Sequence, residues 1–143
     1  VGFDTEYAEK VCEKLGVTAE FKEIEWDNKL LDLSQKNIDC IWNGMTIKEE
    51  ITNNADVTGA YMKNYQVVVV KDAEKYPTLE SLKGKKVVAE SGSAGESAAQ
   101  ENENLKDGYK AVSSMADALL EVKSGAAEAC VIDFIMAASL VGE

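Results

Sequence analysis

The sequence carries one short unit twice. Leu30-Leu31-Asp32-Leu33 leads into Ile38-Asp39-Cys40-Ile41-Trp42-Asn43-Gly44-Met45-Thr46-Ile47, and 89 positions after Leu30, at Leu119, Leu119-Leu120-Glu121-Val122 leads into Ala127-Glu128-Ala129-Cys130-Val131-Ile132-Asp133. In each copy a leucine-rich helical run precedes a short apolar strand that ends in polar groups. A repeated helix–strand unit favours parallel strands joined by crossover helices. Two similar α/β lobes facing one another across a cleft is the simplest architecture that such a repeat allows. The 143 residues suffice for two small lobes.

The remaining elements follow from local signals. Asp4 can cap a first helix in which Ala8, Val11, Cys12 and Leu15 recur at helical spacing and which Gly16 ends. Thr18 to Ile24 alternates like a strand. Asp27 is a second cap, opening the helix of Leu30, Leu31 and Leu33, and Cys40 to Trp42 is the next strand. Lys48 to Asn53 is a short helix or turn, and Asp56 to Tyr61 is extended. Tyr65-Gln66-Val67-Val68-Val69-Val70 is the strongest strand signal in the chain. Thr78 caps the turn from Leu79 to Leu82, which Gly84 ends. Lys86 to Glu90 is a strand, and Ser91-Gly92-Ser93-Ala94-Gly95 opens a helix to about Asn102. Lys110 to Val112 is a strand, Ser114 caps a helix to Val122, Ala129 to Ile132 is the last strand, and Phe134 to Val141 begins another helix. The lobe change falls near Gly59 to Asn64, giving lobes of residues 1–62 and 63–143.

Composition narrows the chemistry. All 15 basic residues are lysine; arginine and histidine are absent, which removes histidine catalysis, histidine metal sites and guanidinium clamps. The net charge of -11 argues against a nucleic-acid partner, which would need clustered basic residues. Cys12, Cys40 and Cys130 lie far apart in apolar contexts with no CxxC spacing, so no metal or cofactor is expected, and Cys40 and Cys130 read as buried free thiols in strands of different lobes. Trp42 reads as a core residue. No apolar run approaches the roughly 20 residues that span a membrane. The chain opens on Val1-Gly2-Phe3-Asp4 and reads as an excised piece, so the lack of a signal peptide carries little weight.

Ligands of open parallel sheets sit beyond the carboxyl ends of the strands. Asn43, Gly44 and Thr46 offer an amide, a close backbone and a hydroxyl at one such end. The Ser91 to Gly95 turn offers hydroxyls and N–H groups at a helix start, a seat for a carboxylate. Asp133 offers a carboxylate for an ammonium group. Together they suit a zwitterion. Each has a plainer use: Ser93 and Asp133 as helix caps, Trp26 as a core residue.

In this order the segments Val1-Gly2-Phe3-Asp4, Ile38 to Ile47, Tyr61 to Val70, Leu79 to Val87, Glu90 to Gly95 and Ala129 to Asp133 resemble the polar amino-acid family of extracellular solute-binding proteins, the receptors of ABC importers. The resemblance implies a type II periplasmic-binding-protein-like α/β fold of two hinged lobes, with an ABC permease as partner and an extracellular or periplasmic, membrane-tethered setting. It implies that Trp26 forms an aromatic wall, that Asn43, Gly44 and Thr46 meet the ligand from the first lobe, that Ser93 and Ala94 hold its carboxylate, that Asp133 holds its ammonium, and that Glu90 tunes side-chain selectivity. Two features depart from the family pattern. Ile51 stands where the family usually has a carboxylate-clamping arginine. The family's first strand and its closing return segment are also missing, so the first lobe is expected to be incomplete and the chain to self-associate by strand or segment exchange. A non-binding fragment, a sensor lobe and a dehydratase-like enzyme on the same fold remain as alternatives.

Overall fold

The computed structural model describes residues 2–141, and the chain divides into two compact units, Val1–Met62 and Lys63–Glu143.

Unit 1 is helical and irregular. Helix α1 (Phe3–Leu15) carries Asp4 and Glu6 in its first turn and Lys14 in its last, matching the helix dipole at both ends. It stops at Gly16, whose left-handed backbone (φ 72°) turns its N–H, and that of Val17, back onto the Glu13 and Cys12 carbonyls. A 3₁₀ turn at Trp26–Asn28 feeds α2 (Lys29–Ser34), and α3 (Glu49–Thr52) is a single turn. Four aromatic rings tie the unit together. Tyr7 packs edge-on against Trp42 and Tyr61, both at 5.3 Å between ring centroids, and Phe3 stacks on Tyr61 at 6.2 Å.

Several expectations fail in this unit. Asp4 is not the cap of α1; Gly2 holds that position with no side-chain bond. Asp27 lies inside the 3₁₀ turn, and α2 opens from Asn28. Neither Thr18 to Ile24 nor Cys40 to Trp42 forms a strand. A strand exists by virtue of its ladder, and no segment of unit 1 pairs with either stretch among the described residues. Cys40 is consequently exposed rather than buried. Trp42 is half-buried against Tyr7, and its indole N–H is enclosed without a partner among the described residues.

Unit 2 holds the sheet. Strand β1 (Gln66–Val70) is followed by β2 (Val87–Glu90), α4 (Ala94–Glu101), β3 (Tyr109–Val112), α5 (Met115–Ser124), β4 (Ala129–Asp133) and α6 (Phe134–Leu140). The strand order is β1-β4-β2-β3. β2 runs parallel to both of its neighbours, whereas β1 runs antiparallel to β4, with Gln66 opposite Asp133 and Val70 opposite Ala129. The sheet is therefore mixed rather than wholly parallel.

Helices cover both faces, which is why the inner strands β2 and β4 read as apolar runs up to their last residue. Val87, Ala89, Ala129 and Val131 face Leu82, Ala99 and Leu105 on one side; Val88, Cys130 and Ile132 face Ala118, Val122 and Ala137 on the other. Alternate residues of each strand serve opposite faces. Each fully buried valine, leucine or isoleucine among them contributes about 1.5–3 kcal/mol through burial. Two caps follow the sequence signals: Ser93 Oγ accepts from the Glu96 N–H, and Ser114 Oγ from the Asp117 N–H, fixing the starts of α4 and α5. Thr78 occupies its expected N-cap position but makes no side-chain cap bond.

Candidate functional site

β2 and β4 run in the same direction, so Glu90 and Asp133 stand at the same, carboxyl edge of the unit 2 sheet. The start of α4 reaches that edge. Gly95 lies so close to β4 that an added Cβ would come within 2.6 Å of the Val131 carbonyl oxygen and 3.2 Å of Gln66 Oε1. Glycine at this position is what allows the helix to dock there. Unit 2 thus brings together Glu90, Ser93, Ala94 and Asp133.

The turn before α4 satisfies much of its own polarity. Gly92 adopts a left-handed backbone (φ 69°) and donates its N–H to Glu96 Oε2 at 2.6 Å. The other oxygen of Glu96 accepts from the Tyr109 hydroxyl at 2.8 Å and from Gln100 at 3.2 Å. Ser93 is 2 % exposed and acts as the N-cap. This is a variant of the capping box, in which the N3 glutamate reaches back to the N–H of the residue before the cap rather than to that of the cap itself. The first N–H groups of the helix, on Ala94 and Gly95, stay outside its ladder as in any helix.

Asp133 occupies the N-cap position of α6 but makes no capping bond. Its Oδ1 instead accepts from Gln66 Nε2 at 2.6 Å, a short charge-assisted contact across the β1–β4 pair. Gln66 is the residue that sequence reasoning missed. A signal was present, a single amide at the head of the β-branched run Val67 to Val70, but its meaning depends on an antiparallel register that no local pattern encodes.

Unit 1 carries the other four predicted residues. Trp26 is half-buried, and the Lys29 ammonium lies 4.9 Å from its ring centroid while donating to the Trp26 carbonyl at 3.1 Å. One face of that indole is therefore covered by the chain's own cation. Asn43, Gly44 and Thr46 lie on the loop between α2 and α3, Asn43 and Thr46 exposed and Gly44 half-buried. Tyr61 anchors this loop to α1: its hydroxyl donates to Asp4 Oδ1 at 2.5 Å, with the Asn43 carbonyl oxygen 3.1 Å away as a second acceptor. Burial and the Asp4 carboxylate push the Tyr61 phenol above its ordinary range. Ile51 is 3 % exposed.

An open groove of about 820 Å³ adjoins the carboxyl edge of the unit 2 sheet on its β3 side, lined by Ser91, Val112, Ser113, Asp117, Leu120 and Glu121 among others; none of the eight predicted residues lines it. Among the described residues no cluster of acidic, cysteine or histidine side chains could hold a metal ion, and no helix is long and apolar enough to cross a membrane.

Residues 1–129 match the profile of bacterial extracellular solute-binding proteins, family 3. The chain is 29% identical over 139 residues to the arginine-binding extracellular protein ArtP of Bacillus subtilis (strain 168), covering 96% of this chain and 54% of that one. It also superposes on solved structures. An ancestral arginine-binding protein bound to arginine matches with a TM-score of 0.87 and 36% identity, covering 99% of this chain and 63% of its own. The ancestral amino acid-binding protein AncCDT-1, a precursor of cyclohexadienyl dehydratase, matches with a TM-score of 0.90 and 34% identity, covering 97% and 63%. The chain thus spans about half the length of this curated relative.

Proposed function

The chain belongs to the bacterial extracellular solute-binding proteins of family 3, with part of a type II periplasmic-binding-protein-like fold, and from that premise we propose that it binds a free α-amino acid for an ABC importer. In this reading Asp133 takes the ligand's ammonium and the start of α4 at Ser93 and Ala94 takes its carboxylate. Glu90 biases the side chain toward polar or cationic groups. Trp26, Asn43, Gly44 and Thr46 form the opposing wall of an interlobe cleft, by likeness to the family.

The observation that supports the reading best is the shared carboxyl edge of β2 and β4, where an acid for an ammonium and a helix start for a carboxylate occur together. The relatives are named as binding proteins, and even the dehydratase precursor is described as amino acid-binding. The proposed role therefore involves no bond making. A permease partner and an extracellular, tethered setting belong to the same proposal.

Ile51 sets an expectation for strength. A hydrogen bond to a charged group contributes about 1.5–3 kcal/mol, so loss of the guanidinium clamp lowers affinity by about one to two powers of ten. A thermal-shift screen of the common amino acids, followed by calorimetry, tests the proposal. An amino acid present at 100 times its dissociation constant should stabilise the fold by about 2.7 kcal/mol. No shift across the panel would reject binding in favour of a folded fragment.

A further inference from the structure

We propose that Gln66 is the positioning residue for Asp133, holding its carboxylate ready for the ammonium of a bound amino acid. The inference rests on the binding reading above and adds a residue to that site.

Three observations carry it. First, Gln66 and Asp133 are direct cross-strand partners, the first residue of β1 and the last of β4, and Gln66 Nε2 donates to Asp133 Oδ1 at 2.6 Å. Among the described residues this is the hydrogen bond that the carboxylate makes, and it leaves Oδ2 to accept from elsewhere. Second, Asp133 is put to neither ordinary structural use of an aspartate at a helix start. It does not cap α6 and, among the described residues, it forms no ion pair. Third, the amide has a cost. Gln66 Oε1 is enclosed beside Gly95 with no donor among the described residues. A buried acceptor without a partner is destabilising, and an apolar side chain of the same length would remove it. That cost offsets part of what the charge-assisted bond to Asp133 contributes to the fold. What the amide supplies is the donor that fixes one oxygen of Asp133. A carboxylate fixed before binding does not have to be ordered by the ligand.

The test uses Gln66→Met in the full chain, a change that keeps the length and removes both polar ends. Calorimetry is run with L-arginine, or with L-glutamine if it binds the parent more tightly, each beside its counterpart lacking the α-amino group. Gln66→Met should weaken the amino acid roughly tenfold while leaving the deaminated counterpart within about twofold. In an Asp133→Asn background, adding Gln66→Met should change amino-acid affinity by less than about twofold, because the residue acts through Asp133. Undiminished binding, equal loss for both probes, or full loss in the Asp133→Asn background would each overturn the inference while leaving the binding reading standing. A parent chain that binds no common amino acid would overturn the binding reading itself, and this inference with it. Gln66→Leu serves the same comparisons should the methionine variant fold poorly.

Discussion

The three cysteines show how environment, not identity, sets what a side chain does. Cys130 sits on β4 under α5 and α6, and burial pushes its thiol up to about 12. Cys40 lies exposed on the irregular stretch before Trp42, and Cys12 is intermediate on α1. Thiolate is the reactive form and needs access to the reagent, so exposed thiols react before buried ones. Labelling of the native chain with a thiol reagent at mild alkaline pH should modify Cys40 rapidly and Cys12 more slowly. Cys130 should react only on unfolding, and peptide mapping by mass spectrometry reads out the order. The sequence shows both Cys40 and Cys130 in apolar strand-like runs and gives no local reason to separate them. The difference lies in whether a sheet forms around the run, which depends on residues distant in sequence.

The elements of unit 2 were legible because each carries its own start or stop. Ser93 and Ser114 cap their helices, Gly125 ends α5 in a left-handed turn, and the β-branched run at Val67 to Val70 has no competing helical pattern. The strands expected in unit 1 have apolar local patterns of their own but no ladder partner among the described residues. The candidate site divides in the same way. Ser93 and Asp133 could be read as candidates from their places beyond strand ends, Glu90 entered only through the family resemblance, and Gln66 required the β1–β4 register. The docking of α4 on β4 is likewise non-local and can be tested. Gly95→Ala forces a methyl group into the Val131 carbonyl and should cost about 1–3 kcal/mol in urea unfolding. Gly44→Ala, where an added Cβ meets nothing within 4 Å, should stay within about 0.5 kcal/mol.

At the scale of the whole chain the two units differ in how much they bury. Nearly all fully enclosed apolar side chains belong to unit 2; in unit 1, Ala8 and Ile51 are the buried apolar residues among those described, while Leu15, Val17, Phe21 and Leu31 are each more than half exposed. Local stability follows buried contacts. Native-state hydrogen exchange should therefore find the slowest amides in β2 and β4 and fast exchange through 17–25 and 39–47. Protection of those two stretches, appearing with rising protein concentration, would be the sign of self-association. One detail of the aromatic arrangement bears on any such study. Both tryptophans, Trp26 and Trp42, lie in unit 1, beside a lysine and a tyrosine respectively. Indole emission is consequently blind to the sheet. A melt followed by fluorescence alone would record the loosening of the weaker half as though it were the loss of the whole, and circular dichroism must accompany it before any midpoint is assigned to the molecule.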